Sequence, residues 1–401
     1  MTAALASAPS ATAILATDAV DRTAGTVLFL VADTGGGHRA AAAALTEAIG
    51  RHYPGRLIAV ECDPLTGPAA PTVLRWVARL YGPLIRWSPW LWGALFHASN
   101  SRAGMRLLHS TVLRLAERPV FAAFARHRPV AVVSCHPLTG SAAIRTRAAV
   151  ASRAPVVTVV TDLVTLHAAW RNDQVDRLVL APAAAFPPSS DHHRVVGLPV
   201  SGAFTAGPPT LAERAELRRR YGVDRYSFVV LVTGGGEGAG GIARRTKALL
   251  QHCPDVAVMV VCGRNDRLRR RLDAIADRHG GRLSVYGFVD DMADRLRCAD
   301  VVVTKAGPGT IAEATCCGTP LILTSHLPGQ ERGNTDYVVR AGAGRYAPSV
   351  AALVREVRRI QRDPAALTRL RSASAALGRP HAASSIAALI ADSAGVDVGT
   401  S

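Results

Sequence analysis

Runs of β-branched and apolar residues alternate with helix-length segments along most of this 401-residue chain. Each run has the length and composition of a buried strand in a parallel sheet. Strands that alternate with helices in this way form parallel sheets covered by helices. We therefore predict an α/β fold, with two doubly wound domains that face each other across a cleft. The predicted strands occupy residues 26–32, 130–135, 155–161, 177–181, 227–233, 256–263, 282–286, 299–304 and 319–324.

The length of the chain exceeds what one ordinary hydrophobic core supports, so two domains are expected. A segment rich in glycine and proline, residues 197–209, has the composition of a linker between them. The predicted organisation has a disordered tail at 1–24, an N-terminal domain at 25–200, a linker region at 201–222, a C-terminal domain at 223–375 and a C-terminal helix at 376–395.

The chain is strongly basic, with 47 Lys and Arg against 30 Asp and Glu, a formal charge of +17. Such a charge indicates an anionic partner, which could be nucleic acid, anionic lipid or an anionic substrate. An arginine surplus without function is the alternative. Seven cysteines without a CxxC pair or metal-ligand spacing indicate a reducing compartment without disulfides. No stretch of 18 uncharged apolar residues occurs, and the first 24 residues lack the charged start of a signal peptide.

A tight glycine turn follows the predicted strand at 299–304, and a helix pattern follows the turn. Such a turn directs free backbone N–H groups and the positive end of a helix dipole at one point, which suits a phosphate. Lys305, one of only two lysines in the chain, adds a full charge there. The alternative is a capping box made by Thr310 and Glu313. The other residues of this candidate phosphate site are Gly307, Pro308 and Gly309.

A second glycine turn follows the first strand and leads into an alanine-rich helix. It consists of Gly35, Gly36 and Gly37, and His38 comes next. A helix N-terminus disfavours imidazolium, so we predict a lowered pKa for His38 and a neutral base that could deprotonate a hydroxyl. A purely structural role is the alternative for this histidine.

Two more strand ends of the N-terminal domain carry polar side chains. Asp162 follows the strand at 155–161, where it could orient His38, bind an acceptor hydroxyl, or merely cap a turn. His136 follows the strand at 130–135 and is expected to line the same cleft. Because the carboxyl ends of parallel strands meet at one edge, these residues should lie close to His38.

The C-terminal domain repeats this arrangement. A third glycine turn could hold a diphosphate or a base edge through its N–H groups, and the strand end at 286–290 could face a planar base. The loop at 328–334 offers the donors and acceptors that sugar hydroxyls need. The residues concerned are Gly234, Gly235, Gly236, Phe288, Val289, Gln330, Glu331 and Asn334.

Residues 71–100 differ from the rest of the chain because they hold four of its five tryptophans together with three arginines and no acid. Tryptophan, arginine and aliphatic residues together are typical of a helix at an anionic bilayer surface. Pro83 and Pro89 are predicted to divide the segment into short amphipathic pieces. An ordinary core helix is the alternative. The residues concerned are Trp76, Trp87, Trp90, Trp92, Arg75, Arg79 and Arg86.

Four independent motifs, in order along the chain, resemble those of monogalactosyldiacylglycerol synthases. They are DTGGGHRA at 33–40, TDLVTLHAAW at 161–170, TKAGPGTIAEA at 304–314 and PGQERGN at 328–334. Processive diacylglycerol glucosyltransferases share much of this pattern, as does, more distantly, the enzyme that adds N-acetylglucosamine to lipid I. The resemblance, which covers residues 26–375, implies a GT-B glycosyltransferase that inverts the anomeric centre and transfers a hexose from a UDP-sugar to a lipid hydroxyl.

The resemblance also implies a role for each matching residue. His38 would be the general base on the acceptor, beside the glycine turn at 35–37. The turns at 234–236 and 305–310 would hold the diphosphate, and Glu313 would bind the ribose. Phe288 and Val289 would flank uracil, and Gln330 and Glu331 would recognise the hexose. No obligate metal or separate cofactor is implied, because Lys305 and the helix dipole would stabilise departing UDP.

The sequence therefore predicts a cytoplasmic enzyme attached peripherally to the inner face of the cell membrane, with a UDP-hexose, a lipid acceptor and an anionic membrane surface as partners. Diacylglycerol is the expected acceptor, and a polyprenyl-linked or soluble natural-product acceptor is the alternative. A basic nucleic-acid binder is the non-enzymatic alternative, prompted by the total charge and the arginines of residues 264–271. No nucleic-acid partner is expected, because no nucleic-acid-binding motif occurs.

Overall fold

The computed structural model describes residues 24–33, 36–111, 113–184, 191–238 and 240–396. The predicted tail therefore lies outside the described residues except for Ala24, and Gly35 lies outside them too. The side chains of Arg86 and Trp87 also lie outside what the structure describes. In the described part of the chain, twelve strands form two sheets of six, and all the strand pairs are parallel.

The first sheet has the strand order β2-β1-β3-β4-β5-β6, and the second has the order β12-β11-β10-β7-β8-β9. The strands of the first sheet are β1 (Gly25–Leu30), β2 (Leu57–Cys62), β3 (Ala131–Ser134), β4 (Val156–Val159), β5 (Arg177–Leu180) and β6 (His193–Val195). The strands of the second sheet are β7 (Phe228–Thr233), β8 (Val256–Val261), β9 (Leu283–Tyr286), β10 (Val301–Thr304), β11 (Leu321–Leu323) and β12 (Gly344–Tyr346).

Helices connect the strands and cover both faces of each sheet. Those of the first half are α1 (Gly37–His52), α2 (Thr72–Trp87), α3 (Pro89–Ser99), α4 (Arg102–Thr111), α5 (Glu117–His127) and α6 (Gly140–Ala149). Those that follow are α7 (Leu211–Arg220), α8 (Ile242–His252), α9 (Asp266–Ala276), α10 (Met292–Cys298), α11 (Pro308–Cys316), α12 (Arg332–Arg340), α13 (Val350–Arg362), α14 (Pro364–Leu377) and α15 (Ala382–Ser393).

The hydrophobic cores lie on the two faces of each sheet. Successive side chains of a strand point to opposite faces, so a strand buried on both faces is apolar throughout. Strands β7 and β8 are buried along their whole length for this reason. Helices α8 and α13 pack on one face of the second sheet, and α10 and α11 pack on the other. The predicted pair of doubly wound α/β domains is confirmed.

The last helix, α15, does not pack against the second sheet. Its buried residues Ile386 and Ile390 lie in the core of the first sheet, together with Leu45 and Ile49 of α1. The chain therefore crosses back to the first domain at its end. A second connection is made by Glu47 of α1, whose carboxylate accepts hydrogen bonds from the hydroxyl of Ser201 at 2.8 Å and the N–H of Gly202 at 3.0 Å.

The predicted break at Pro83 is wrong, because α2 continues through it to Trp87. Pro89 does begin a new helix, α3, at a position where its missing N–H is tolerated. The range 201–222, predicted as a linker region, contains α7, whose Leu217 packs in the core of the second sheet.

Candidate active site

His38 lies in the first turn of α1, which is the helix that follows β1. Gly36 precedes the helix with a φ of 81°, a left-handed conformation that glycine adopts without strain. The Nδ1 atom of His38 lies 2.9 Å from the carbonyl oxygen of Cys135 and 2.8 Å from Oγ1 of Thr161. A carbonyl oxygen only accepts hydrogen bonds, so Nδ1 carries the proton of the neutral ring. The lone pair of Nε2 is then available to a substrate.

Burial lowers the pKa of His38 to about 4, and the hydrogen bond to the Cys135 carbonyl opposes this only in part. The direction agrees with the sequence prediction, but desolvation rather than the helix dipole is the main cause. His136 lies beside it, with ring centroids 4.6 Å apart in a T-shaped contact. Burial and the neighbouring His38 lower the pKa of His136 well below its ordinary value. Both rings are therefore neutral near pH 7, as a general base at His38 requires.

Asp162, which follows β4, is held by three groups. Its Oδ2 accepts a hydrogen bond from Nε1 of Trp170 at 2.7 Å, and its Oδ1 accepts one from Nε2 of Gln330 at 3.1 Å. The backbone N–H of His167 also donates to this carboxylate. Among the described residues Asp162 makes no hydrogen bond with His38, so the alternative in which Asp162 orients His38 is not supported, while a role towards the acceptor hydroxyl stays a prediction. Thr161 and the Cys135 carbonyl orient the ring instead.

The candidate phosphate turn lies between β10 and α11. Helix α11 begins at Pro308 rather than at the expected Thr310, and no side chain caps it. The capping box between Thr310 and Glu313 is therefore not formed. The N–H groups of Gly309 and Thr310 precede the first intrahelical bonds. A Cβ atom placed on Gly309 would meet no atom within 4 Å, so a ligand has room to approach this turn.

Lys305 and Glu331 form a salt bridge with an Nζ–Oε1 distance of 2.6 Å. The second carboxylate oxygen of Glu331, which is buried, accepts a hydrogen bond from the N–H of Leu327 at 2.9 Å. Asn334, also buried, donates from Nδ2 to the carbonyl oxygen of Ala306 at 2.9 Å. These contacts fix the loop at 328–334 against the turn that begins with Lys305.

The other predicted donor residues lie in the loops that follow β7 and β9 of the second sheet and in α11. Gly235 has a φ of 73°, and a Cβ placed on it or on Gly236 would meet nothing within 4 Å. Phe288 is 59% exposed, with the guanidinium of Arg264 5.2 Å from its ring centroid. Glu313 is partly buried, and burial raises its pKa to about 7. Two further predicted donor residues are Gly234 and Val289. Gly234 directly follows the last residue of β7, and Val289 packs against the hydrophobic core.

The two domains meet at the loop that carries Gln330. Its Nε2 reaches Asp162 of the first domain, and its Oε1 is buried without a hydrogen-bond partner among the described residues. The buried Trp170, which donates to Asp162, has its ring 6.3 Å from that of His38. The structure thus brings the candidate base, Asp162 and the candidate sugar-binding loop together at one cleft.

Helices α2 and α3 form an apolar surface next to this cleft, and we call it the α2–α3 surface. Its exposed residues include Val73, Trp76, Val77 and Leu80, which follow the i, i+3, i+4, i+7 spacing of one helix face. The guanidinium of Arg79 lies 5.7 Å from the Trp76 ring centroid. Trp90, Leu91 and Leu95 of α3 are also exposed, Trp92 is half-buried against Phe96, and Arg75 is half-buried.

The inner face of α3 contacts the cleft. A Cβ placed on Gly93 would lie 3.0 Å from Pro328, and one on Gly329 would lie 2.8 Å from the ring of the buried Phe96. Helix α3 therefore lies between the exposed apolar surface and the candidate sugar-binding loop. Among the described residues, none of the helices is both long and apolar enough to span a bilayer. No group of three or more His, Cys, Asp or Glu side chains in the described ranges is arranged to hold a metal ion.

Comparison with known proteins identifies the family. The family model of monogalactosyldiacylglycerol (MGDG) synthase matches residues 38–200, and that of the glycosyltransferase family 28 C-terminal domain matches residues 229–386. A probable monogalactosyldiacylglycerol synthase 2 of Oryza sativa subsp. japonica is 33% identical over 350 residues, which cover 83% of this chain and 73% of that protein. The chain belongs to the monogalactosyldiacylglycerol synthase family.

Other members of the monogalactosyldiacylglycerol synthase family are longer than the matched region. The chloroplastic enzyme of Spinacia oleracea is 32% identical over 348 residues, or 82% of this chain and 65% of that protein. Monogalactosyldiacylglycerol synthase 1 of Arabidopsis thaliana is 31% identical over 338 residues, or 80% of this chain and 62% of that protein. The chain thus spans somewhat less than two thirds of these two relatives.

Solved structures show that this family member has the GT-B fold. MurG of Acinetobacter baumannii superimposes with a TM-score of 0.58 at 16% identity, covering 92% of this chain and 99% of that one. A UDP-glucosyltransferase of Polygonum tinctorium gives a TM-score of 0.58 at 14% identity, with the same coverages. The GT-B prediction is confirmed.

Proposed function

We propose that this chain is an inverting glycosyltransferase that transfers galactose or glucose from a UDP-sugar to the hydroxyl of diacylglycerol. The proposal rests above all on the contact between the α2–α3 surface and the loop that carries Gln330. This loop also reaches Asp162, beside the candidate base. A lipid that enters from an apolar surface and a sugar held by this loop would meet next to His38. The names of the family members described above support the same acceptor.

On the acceptor side, His38 is neutral near pH 7, with its proton on Nδ1. Nε2 would take the proton of the acceptor hydroxyl as the hydroxyl oxygen attacks the anomeric carbon. The new oxygen–carbon bond forms while the bond from that carbon to the UDP phosphate oxygen breaks. Attack opposite to the leaving group inverts the anomeric centre. A general base of this kind contributes about 10²- to 10⁴-fold to the rate.

On the donor side, departing UDP gains negative charge on its diphosphate. The N–H groups of Gly309 and Thr310 and the positive end of the α11 dipole would stabilise this charge. Lys305, which pairs with Glu331, would share its ammonium group with the phosphate. The glycine turn at 234–236 would contact the diphosphate from the other side. The reaction then uses the UDP-sugar as co-substrate, and we propose no separate cofactor.

The nucleoside and the hexose would occupy the remaining positions. Phe288 is exposed enough for uracil to stack on it, with Val289 on the opposite flank. Glu313 would accept hydrogen bonds from the ribose hydroxyls. No donor in the described ranges of the chain reaches the buried Oε1 of Gln330, and a hexose hydroxyl would supply one. Glu331 would bind the hexose next to it.

We further propose that the α2–α3 surface attaches the protein peripherally to an anionic membrane, at the inner face of the cell membrane. Apolar residues such as Trp76 and Leu80 would enter the boundary between headgroups and acyl chains. Arginines such as Arg75 and Arg79 would face the lipid phosphates. This arrangement delivers diacylglycerol, which does not leave the bilayer, to the cleft.

The test is product analysis by mass spectrometry. The purified chain is incubated with UDP-glucose or UDP-galactose and vesicles that contain diacylglycerol, a polyprenyl-linked sugar or no acceptor. We expect a monohexosyldiacylglycerol with one of the two donors. A product on the polyprenyl-linked acceptor alone, or no transferred hexose with any acceptor, contradicts the proposal.

A further inference from the structure

The position of His38 depends on a glycine turn whose described residues have little packing of their own. A Cβ atom placed on Gly36 or Gly37 would meet no described atom within 4 Å. Helix α1 starts after Gly36, and in the described structure no side chain caps it. A catalytic group has to be held within about 0.5 Å of its productive position. Contacts on either side of the turn therefore decide where His38 lies.

Asp63, which directly follows β2, supplies such contacts. Its side chain is only 8% exposed, and its carboxylate accepts four hydrogen bonds. Oδ1 accepts from the N–H groups of Leu65 at 3.1 Å and Thr66 at 2.6 Å. Oδ2 accepts from the hydroxyl of Thr66 and from Nη2 of Arg39 at 2.9 Å. The first three bonds close a turn of the kind that aspartate commonly forms, and the fourth reaches the first turn of α1.

The same network reaches the residue before the glycine turn. Oγ1 of Thr66, which donates to Asp63, accepts a hydrogen bond from the N–H of Asp33 at 3.0 Å. Asp33 precedes the glycine turn and Arg39 follows His38, so both flanks of the turn are connected to one carboxylate. The loop that carries Thr66 is itself fixed, because Leu65 is buried in a small hydrophobic core. Asp63 therefore links a rigid loop to both ends of a turn that has little packing.

His38 and Arg39 fix the start of α1 on opposite sides of β1. In the sheet, β1 lies between β2 and β3. His38 contacts groups that follow β3 and β4, whereas Arg39 contacts Asp63, which follows β2. Two contacts on opposite sides resist both rotation and sliding of the helix start. Arg39 also lies 4.0 Å from Glu61, but that acid is 41% exposed, and exposed pairs of this kind contribute little.

We propose that Asp63 is a positioning residue for hexose transfer. Through Arg39 and the N–H of Asp33, it holds the glycine turn so that Nε2 of His38 faces the acceptor hydroxyl. This inference rests on the function proposed above, because it concerns the base of that reaction. Asp63 acts through His38 and lies in the other domain from the donor turn. Its loss should therefore slow the transfer step and leave binding of the UDP-sugar unchanged.

The test compares the transfer kinetics of Asp63→Asn with those of Glu61→Gln, which removes an acid from beside the same arginine. An asparagine at position 63 still offers an oxygen to the N–H groups of the turn, so mainly the contact with Arg39 is lost. We expect kcat to fall about 10- to 100-fold in Asp63→Asn, with KM for the UDP-sugar unchanged within about twofold. Glu61→Gln should keep the kcat of the wild type.

Arg39→Met removes the same contact from the other side and should show the same kinetics as Asp63→Asn, so the test does not depend on one variant. Arg39→Lys keeps a cation that can face Asp63 and should recover part of the rate. Asp63→Asn is also combined with His38→Ala. Because Asp63 acts through His38, it should not lower the residual rate of His38→Ala any further.

A wild-type kcat in Asp63→Asn, an equal loss in Glu61→Gln, or a further loss in the His38→Ala background overturns the positioning role. If His38→Ala alone is slow, these outcomes overturn that role and leave the proposed base intact. A wild-type rate in His38→Ala refutes the base, and the positioning role with it.

Discussion

Lys305 is the residue on which the proposed donor half of the site would depend most. It is partly buried beside the start of α11 and pairs with the buried Glu331. The Lys305→Met variant keeps the length of the side chain but removes the charge. We expect it to bind UDP about 10- to 100-fold more weakly, because a charge-assisted hydrogen bond to phosphate contributes about 1.5–3 kcal/mol. Calorimetric titration of UDP measures this, and an unchanged affinity contradicts the phosphate role of the turn.

In the proposed donor site, Glu313 would link UDP binding to pH. Its pKa is raised to about 7, so the carboxyl is close to half protonated at neutral pH. Ribose hydroxyls that donate to the carboxylate favour its ionised form and lower this pKa. UDP binding near pH 7 should therefore release about half a proton, and UDP affinity should rise as the pH increases through 7. Titrations in two buffers of different ionisation enthalpy measure the release. Glu313→Gln should abolish it, and an unchanged release in that variant rules out the ribose role.

The sequence alone indicates candidate site residues such as His38, but it does not indicate which groups hydrogen-bond to them. His38 stood out because a histidine after three glycines at a helix start is a recognisable local pattern. The contacts that hold it come from Thr161 and the Cys135 carbonyl, which are about 100 residues away along the chain. A backbone carbonyl carries no residue-type signal. Trp170 was visible as part of a motif, but its contact with Asp162 depends on the turn between them.

At the scale of the element, α2 presents a complete apolar stripe to solvent instead of burying it. The Leu80→Glu variant places a charge on this stripe, where Leu80 is 62% exposed. We expect affinity for anionic vesicles to fall at least about tenfold, because inserting a leucine side chain contributes about 1.5 kcal/mol or more. Flotation measures the bound fraction. The matched control is Leu211→Glu on α7, where the leucine is 86% exposed, and vesicle binding should be unchanged there. Equal losses in both variants would contradict a specific membrane face.

The sequence predicts the strands that are buried on both faces of a sheet, because these strands form continuous apolar runs. Each of the nine predicted runs overlaps one of the observed strands, and only β1 begins outside its run, at Gly25. Strands buried on both faces read as continuous apolar segments, which makes them recognisable. The three strands without a prediction, β2, β6 and β12, all lie at sheet edges. They are partly exposed, and two of them have only three residues, so composition does not distinguish them from loops. The sequence also does not predict that α2 continues through Pro83, because a proline inside a helix usually indicates a break.

At the scale of the whole molecule, α15 ties the end of the chain to the first domain. Ile386 is completely buried in the core that α15 shares with α1. The Ile386→Ala variant should lose about 2–5 kcal/mol of unfolding free energy, because it leaves a cavity in a packed core. Urea denaturation measures the loss, with Leu211→Ala at an exposed position as a control that changes stability by less than about 0.5 kcal/mol. A small loss for Ile386→Ala would contradict this packing.

The alternation of strands and helices predicts the two-domain architecture. It does not predict which residues of the two domains contact each other. The strand-end rule places His38 and Asp162 on one edge, and Lys305 and Gln330 on another. Nothing local in the sequence predicts that Gln330 reaches Asp162 across the cleft. The packing of α15 against the first domain could not be predicted either, because an apolar helix can pack on any core.

We propose that catalysis is divided across the cleft, with the base in the first domain and the diphosphate site in the second. The most direct test is the rate of hexose transfer to diacylglycerol by His38→Ala at saturating UDP-sugar. We expect a rate about 10²- to 10⁴-fold below that of the wild type, with UDP affinity unchanged within about twofold. A transfer rate close to that of the wild type would show that His38 is not the base.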